Sequence, residues 1–468
     1  MNTSRKLNRR GFLRAAATVA VVSVVPRWVL GGPGRTPPSE RLNVAIIGTG
    51  GQGITNLKEL LEHPDVNISA ICDVAEFWDN SHLYYRHNGG RRPAQEVIAE
   101  HHRQNANGRG HDCAVYVDCR TMLEQASKDI DAVLVATPNH VHAVASMAAI
   151  RAGKGVYCEK PLTHSIYEAR QLARAARQAG VATQMGNQGH STEDIRRGVE
   201  WIRAGAIGKV REVHAWQGGP NRSMPTTRPT ETPPVPEGLS WDLWLGPAKE
   251  RPFHPAYAPL TFHYWWDFGS GTLGNYGCHT LDTAVWALDL EYPSMVYASS
   301  TALNEETTPA AAMYHYVFPR RGERPPVDVF WYDGGLRPPR PACLEPEREL
   351  PPAGGSLIVG EDGAILSGVW SGSPRIIPEE KMRQYQPPRP SIARSRGHHR
   401  DWIEACKGGP PASSNFDYAA RLTEIVLLGV VALRTGATIY WNGPEMKATN
   451  APEAQTLIRG YFRKGWEI

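Results

Sequence analysis

The stretch RLNVAIIGTGGQG (Arg41–Gly53) constrains this chain more than any other. Its first half, rich in Val and Ile, reads as a parallel strand buried on both faces. Gly48-x-Gly50-x-x-Gly53 follows at once, and ITNLKELLEH (Ile54–His63) continues with helical spacing. Strand, glycine turn and helix in this order let a backbone approach a pyrophosphate, whose charge the helix N-terminus attracts. The glycines alone are a weak signal, and the setting gives them weight.

A second strand, VNISAICD (Val66–Asp73), ends in a carboxylate twenty residues after Gly53. A carboxylate there accepts hydrogen bonds from the adenosine ribose and repels a 2′-phosphate. No Arg or Lys follows it immediately, so NAD is favoured over NADP. Residues 82–111 are polar and read as a helix with loose ends. CAVYVD (Cys113–Asp118), DIDAVLVATP (Asp129–Pro138), GVYCEKP (Gly155–Pro161) and VATQMGNQ (Val181–Gln188) read as further strands, with helical patterns between them. This alternation predicts a doubly wound parallel sheet. Ligands of such sheets bind beyond the carboxyl ends of the strands. Those ends carry Thr137-Pro138-Asn139, Glu159-Lys160-Pro161 and Gly186-Asn187-Gln188.

GTGGQG, ATPNHVHA, CEKP, GNQ and, far downstream, GNYGCHTLD together resemble the Gfo/Idh/MocA family of NAD(P)-dependent oxidoreductases. With WDLWLGPA (Trp241–Ala248) and the N-terminal leader described below, the chain looks like an exported branch of that family. The resemblance implies a Rossmann domain followed by an α+β domain with a large, open-faced, mostly antiparallel sheet. It also implies that this sheet serves a homo-oligomer, a dimer or tetramer. The boundaries expected are residues 1–40 for leader and linker, 41–187 for the NAD-binding domain and 188–468 for substrate binding and oligomerisation.

The cofactor is expected against Gly48, Gly50, Gly53, Asp73, Thr137, Pro138, Asn139, Glu159, Lys160 and Gln188. Lys160 lies where the nicotinamide should be. Partly desolvated, its charged form is disfavoured, so it can take a proton from a substrate hydroxyl as hydride leaves the same carbon. The resemblance gives the matching Lys the same role, and Glu159 would hold it or a ribose. The family commonly shows D-x-G-x-H-x-x-D where this chain has Asn275, His279 and Asp282. Members use that His with the first carboxylate to bind and deprotonate a sugar hydroxyl. Asn275 can orient a hydroxyl but cannot take its proton, which leaves proton transfer to Lys160 and His279. Helical spacing of HTLDTAVWAL places His279 and Asp282 on one face. Asn275, His279 and Asp282 are thus the expected substrate contacts.

His142 is expected beside the nicotinamide ribose and His140 at the surface. At i, i+2 on a helix the two do not share a face, so they make no metal site. His398 and His399, and the weaker substrate candidates His214 and Arg222, have no clear role. Trp241, Trp244, Trp265 and Trp266, with Tyr264, form either a sugar-stacking wall or core. In the second half, TEDIRRGVEWIRAG reads as a helix and KVREVHAWQGG as a strand. AAMYHYVFP and VDVFWYDGG read as paired strands, SLIVGEDGAILSG as a hairpin, and Phe416–Gly436 as a buried helix ending at a capping glycine.

The front end explains the compartment. Arg9-Arg10 precede a mild apolar run, Ala15–Val25, too short to span a bilayer. The flank is basic, with no acid before Glu40. This layout reads as a twin-arginine export signal, and the expected location is the periplasm or another exported site. The net charge is +4, and the leader's arginines and lysine supply more than that. The remainder is near-neutral, which gives no reason to expect nucleic acid. No later segment is apolar enough to span a membrane. The seven cysteines are scattered without a C-x-x-C, which argues against a zinc site or disulfide framework.

Free NAD is scarce outside the cytoplasm. An exported NAD enzyme therefore has to carry its cofactor out and recycle it. Three functions fit: an oxidoreductase on CH–OH groups of sugars, cyclitols or their derivatives; a redox-neutral enzyme that cleaves glycosides or eliminates; and a non-catalytic NAD- and sugar-binding protein. The first is favoured.

Overall fold

The computed structural model describes residues 37–105, 113–219, 221 and 224–468. The leader with its arginine pair, and Arg222, lie outside the described residues. No helix among those residues is long and apolar enough to cross a membrane.

Six strands form the first sheet: β1 (Leu42–Ile47), β2 (Val66–Cys72), β3 (Ala114–Tyr116), β4 (Ala132–Val135), β5 (Gly155–Glu159) and β6 (Thr183–Gly186). All pair parallel, in the order β3-β2-β1-β4-β5-β6. β4 and β5 are buried at every residue, because helices cover both faces. These are α1 (Gly51–Leu61), α2 (Arg91–Asn105), α3 (Cys119–Gln125), α4 (Asn139–Arg151) and α5 (Ile166–Ala179). α5 starts at a capping box of Ser165 and Glu168 and stops at Gly180, whose φ is +66°. The strand order reverses between β1 and β4, which opens a crevice at their carboxyl ends.

The polar stretch 82–111 corrects one expectation. The helix begins only at Arg91. The residues before it make a loop closed by a Trp78·Gly89 bridge. Gly90 turns the chain with φ +104°, and a Cβ there would sit 2.6 Å from the Glu76 carbonyl oxygen. Tyr84 and Tyr85 are thereby left on the loop.

The second sheet has nine strands: β7 (Val210–Gln217), β8 (Met295–Ser300), β9 (Ala312–Phe318), β10 (Val327–Asp333), β11 (Gly354–Gly360), β12 (Gly363–Gly368), β13 (Arg375–Ile377), β14 (Ile439–Asn442) and β15 (Lys447–Ala448). Their order is β13-β12-β11-β7-β10-β9-β8-β14-β15. Pairing is antiparallel except between β7 and β10. Along β9 burial alternates: Tyr314 and Tyr316 point into the core while Met313 and His315 stay half-exposed. The outer face is only partly open, because Leu344 and Leu350 pack with Trp216, Leu357 and Leu366 on it.

The remaining helices are α6 (Glu193–Arg203), α7 (Trp241–Leu245), α8 (Gly271–Thr280), α9 (Asp282–Leu288), α10 (Glu379–Gln384), α11 (His398–Cys406), α12 (Phe416–Thr435) and α13 (Ala454–Arg459). α12 runs between the halves and packs on α5, α8 and β8. It ends, as its sequence predicts, at Gly436 with φ +62°. α11 returns to the first sheet, where Trp402 and Ile403 join Val44, Ile46, Leu134 and Tyr157 in one apolar cluster.

Candidate functional site

A crevice of about 610 Å³ runs along the carboxyl ends of the first sheet and ends against α8. Gly48, Gly50, Asp73, Thr137, Pro138, Asn139, His142, Glu159, Lys160, Gln188, Asn275 and His279 all line it.

The glycines divide their work. Gly48 has φ +88°, and a Cβ there would lie 2.6 Å from the Ala136 carbonyl oxygen. Gly50 faces open space, with no atom within 4 Å of a Cβ built on it. Gly53 does not line the crevice. A Cβ on it would sit 2.0 Å from the Gly48 carbonyl oxygen, so it serves helix–strand packing rather than the cofactor directly. The Asp73 carboxylate accepts from the Thr49 amide at 2.7 Å and the Ala75 amide at 2.9 Å. Burial pushes its pKa up, and these amides oppose the shift. The Arg91 guanidinium donates to the Asp73 carbonyl at 2.5 Å. That cation is eighteen positions downstream, out of reach of a reading restricted to the residues just after Asp73.

Buried Thr137 Oγ1 and Asn139 Nδ2 have no partner within the protein. With the open glycine turn and the anchored carboxylate, these orphaned groups fit an adenine dinucleotide. His142 is buried, its ring nitrogens 2.8 Å from the carbonyl oxygens of Thr137 and Pro161. It ties the ends of β4 and β5 while lining the crevice. His140 is not at the surface. It is buried between the carbonyls of Trp244 and Phe268. Burial lowers the pKa values of His140 and His142 to about 3 and about 4.

Glu159 is buried and accepts from Asn56 at 3.0 Å and Gln188 at 2.9 Å. Burial raises its pKa. A Cβ on Gly186 would fall 2.5 Å from its carboxyl carbon. Glu159 does not hold Lys160 by a hydrogen bond. Lys160 Nζ instead donates to Asn275 Oδ1 at 2.6 Å and to the Asn275 carbonyl at 3.0 Å. Burial lowers the lysine pKa, opposed by the charge of Glu159. His279 lines the crevice with Nδ1 unpartnered. Burial, with Lys160 adding to it, holds its pKa well below the ordinary value. A lysine with a weakened hold on its proton and a neutral imidazole thus face one cavity, which suits proton transfer with a hydroxyl.

Asp282 does not reach this cavity, because α8 ends at Thr280 and a new helix starts at Asp282. Its carboxylate is buried, accepting from Asn187 at 2.9 Å and His190 at 3.0 Å, and from the Tyr418 hydroxyl. It braces the wall behind the site.

The tryptophans of 241–266 are core rather than a sugar wall. Trp241 stacks on Trp244 at 4.6 Å, Trp265 is fully buried, and of the four only Trp244 lines the crevice. Tyr264, on the turn just before Trp265, is half-buried and does not line it either. His398 and His399 are buried against Met185, Ser191 and Tyr157. His214 stacks on Phe330 in the second sheet at 5.0 Å, outside the crevice. Among the described residues no group of three or more His, Cys, Asp or Glu is placed to hold a metal.

Sequence reasoning missed Tyr84, Tyr85, His263, Tyr276, Trp370 and Trp466, all on the crevice wall. An aromatic residue in a glycine- and serine-rich turn, as in GVWSGS, was the available signal for Trp370.

Residues 42–187 match an oxidoreductase family with an NAD-binding Rossmann fold, and residues 223–318 match the family's C-terminal alpha/beta domain. The chain is 27% identical over 209 residues to a glycosyl hydrolase family 109 protein of Stenotrophomonas maltophilia, covering 45% of this chain and 42% of that protein. It is 26% identical over 219 residues to the levoglucosan dehydrogenase of Pseudarthrobacter phenanthrenivorans, covering 45% and 46%. The aligned part spans under half the length of either relative. The WlbA dehydrogenase of Bordetella pertussis, solved with NADH and UDP-GlcNAcA, superposes with a TM-score of 0.57 at 16% identity, over 86% of this chain and 99% of that one.

Proposed function

Because the chain belongs to the Gfo/Idh/MocA family of NAD-binding oxidoreductases, we propose that it oxidises a CH–OH group of a sugar, cyclitol or derivative on a tightly held NAD. The observation that carries this reading is Lys160. Its ammonium is held by Asn275, from the other half of the chain, on the crevice that the glycine turn and Asp73 also line. Bound NAD supplies the hydride acceptor. Lys160, in its neutral form, takes the hydroxyl proton, and Asn275 keeps Nζ in place. His279, neutral because it is buried, orients the hydroxyl and shares the proton load. The preference for NAD over NADP rests on Asp73, whose carboxylate is already fixed by two backbone amides.

Export through the twin-arginine route is part of the proposal. It explains why the cofactor would be loaded before export and recycled in place, the hydride taken from one sugar being passed to the carbonyl of a second sugar that is reduced in turn. A homo-oligomer, dimer or tetramer, is expected as well. The second reading is redox-neutral: oxidation at one carbon, cleavage or elimination, then reduction back. The glycosyl hydrolase family 109 relative favours it.

The test is mass spectrometry of the purified protein, native and then denatured, followed by incubation with candidate sugars. Co-purifying NAD and an oxidised sugar support the first reading. A cleaved sugar without net redox change supports the second. A protein that holds NAD only weakly, and changes no sugar, refutes both.

A further inference from the structure

We infer that Trp370 is the platform on which the substrate ring lies, a positioning residue that stacks the apolar C–H face of a neutral pyranose or cyclitol beside His279. This rests on the sugar reading of the site given above. Trp370 is 57% exposed, a large apolar surface left in water on the wall of the crevice. Its ring lies 5.5 Å from that of His279, inclined by 25°.

The loop that carries it is held rather than loose. Residues 369–374 connect β12 to β13. The Val369 carbonyl accepts from Thr280 Oγ1 at 3.0 Å, and the Ser371 hydroxyl from Thr283 Oγ1 at 2.7 Å. The Ser373 amide donates to Asp194 at 2.7 Å. Gly189 packs so closely that a Cβ on it would be 2.9 Å from the Trp370 carbonyl oxygen. The loop is thus tied to α6, α8 and α9, and to the turn after β6. Ser371 and Ser373 have φ of +60° and +50°, left-handed values that cost free energy for residues with a Cβ. Strain that surrounding contacts over-determine, around an exposed aromatic ring, is the pattern of a functional site.

The chemistry around the ring selects the ligand. An aromatic face recognises a patch of C–H groups, and a pyranose or cyclitol has such a face with hydroxyls around its rim. The groups that could meet that rim are Lys160, Asn275 and His279. His279 Nδ1 and His263 Nδ1, both on the crevice wall, lack partners. Lys160 is the only cation on the crevice wall among the described residues, and it faces the reacting hydroxyl. Among the described residues no other fixed positive charge lines the crevice to bind a second, anionic group, which favours a neutral ring.

The experiment compares NAD-loaded wild type, Trp370→Phe and Trp370→Ala, with D-glucose, D-galactose and myo-inositol as probes. Three quantities are read: reduction of the bound cofactor, saturation transfer to the sugar ring protons, and NAD retained after dialysis. Trp370→Ala should raise the sugar concentration that half-saturates reduction of the bound cofactor about tenfold or more and weaken saturation transfer in step, with the limiting reduction rate and retained NAD little changed. Trp370→Phe should restore most of the affinity. An unchanged half-saturating sugar concentration in Trp370→Ala, or loss of NAD in place of sugar, overturns the platform. A wild type that neither binds nor oxidises any probe instead overturns the sugar reading, and the platform with it.

Discussion

The two ends of the crevice are built in different ways. At the cofactor end, Gly48, Gly50 and Asp73 come from one strand–helix–strand unit. At the other end, Lys160 and Asn275 meet across 115 positions, and Trp370 arrives from a third segment. The first end depends on backbone shape: a turn that needs φ +88° at Gly48 and no side chain at Gly53. The second depends on side chains that only the tertiary fold brings together. Damage to the first end should therefore show as lost cofactor or stability. Damage to the second should show as lost chemistry with the cofactor still in place.

Lys160→Met is the sharpest form of that contrast. The chemical step should fall by about 10²–10⁴-fold, the usual worth of a general acid–base group, while retained NAD is unchanged. If NAD is lost as well, the two ends are not separable. Asp73→Ala should do the reverse, weakening NAD by about ten- to a hundredfold through loss of charge-assisted hydrogen bonds. Its fold should survive by circular dichroism, and a variant that binds NAD normally removes Asp73 from the cofactor site. Gly53→Ala forces a methyl against the Gly48 carbonyl and should destabilise the fold by about 1–3 kcal/mol in denaturant titration.

Subtler effects should appear in pH dependence. Asn275→Asp places a carboxylate against Lys160 Nζ and favours the charged lysine. The limb of the pH–rate profile that reports neutral Lys160 should move upward, by about one unit or more. A profile that stays put means another group limits the rate. His140 and His142 have folded pKa values lowered to about 3 and about 4. The unfolded chain therefore binds more protons once the pH drops below the ordinary histidine range. Their contribution to stability is complete above about pH 6.5 and is lost as pH falls toward 4 and below. Thermal midpoints measured across that window should decline, and the decline should weaken in a His140→Gln variant.

Legibility in the sequence follows the same division. The parallel sheet, its glycine turn and Asp73 were readable because each is a local demand of backbone geometry or strand spacing. The hairpin at Gly354–Gly368 and the helix capped by Gly436 were readable for the same reason. The spacing of HTLDTAVWAL predicts one helix through Leu281 that would set Asp282 beside His279, but the chain bends at Leu281 and a new helix starts at Asp282. The tryptophans of 241–266 left two readings open, since an aromatic in sequence does not say whether it faces core or cavity. Burial decided for core. Tyr84 and Tyr85 lie in a polar stretch whose pattern predicts helix, and the turn at Gly90 leaves them instead on a loop that lines the crevice.

The central claim is that Lys160 takes the proton as hydride leaves the substrate carbon. Single-turnover reduction of the bound cofactor, followed by absorbance in wild type and Lys160→Met with the same sugar, tests it most directly. A burst of bound NADH in wild type that slows by at least about a hundredfold in Lys160→Met, at equal cofactor content, is the expected result. An undiminished burst in Lys160→Met would contradict the account.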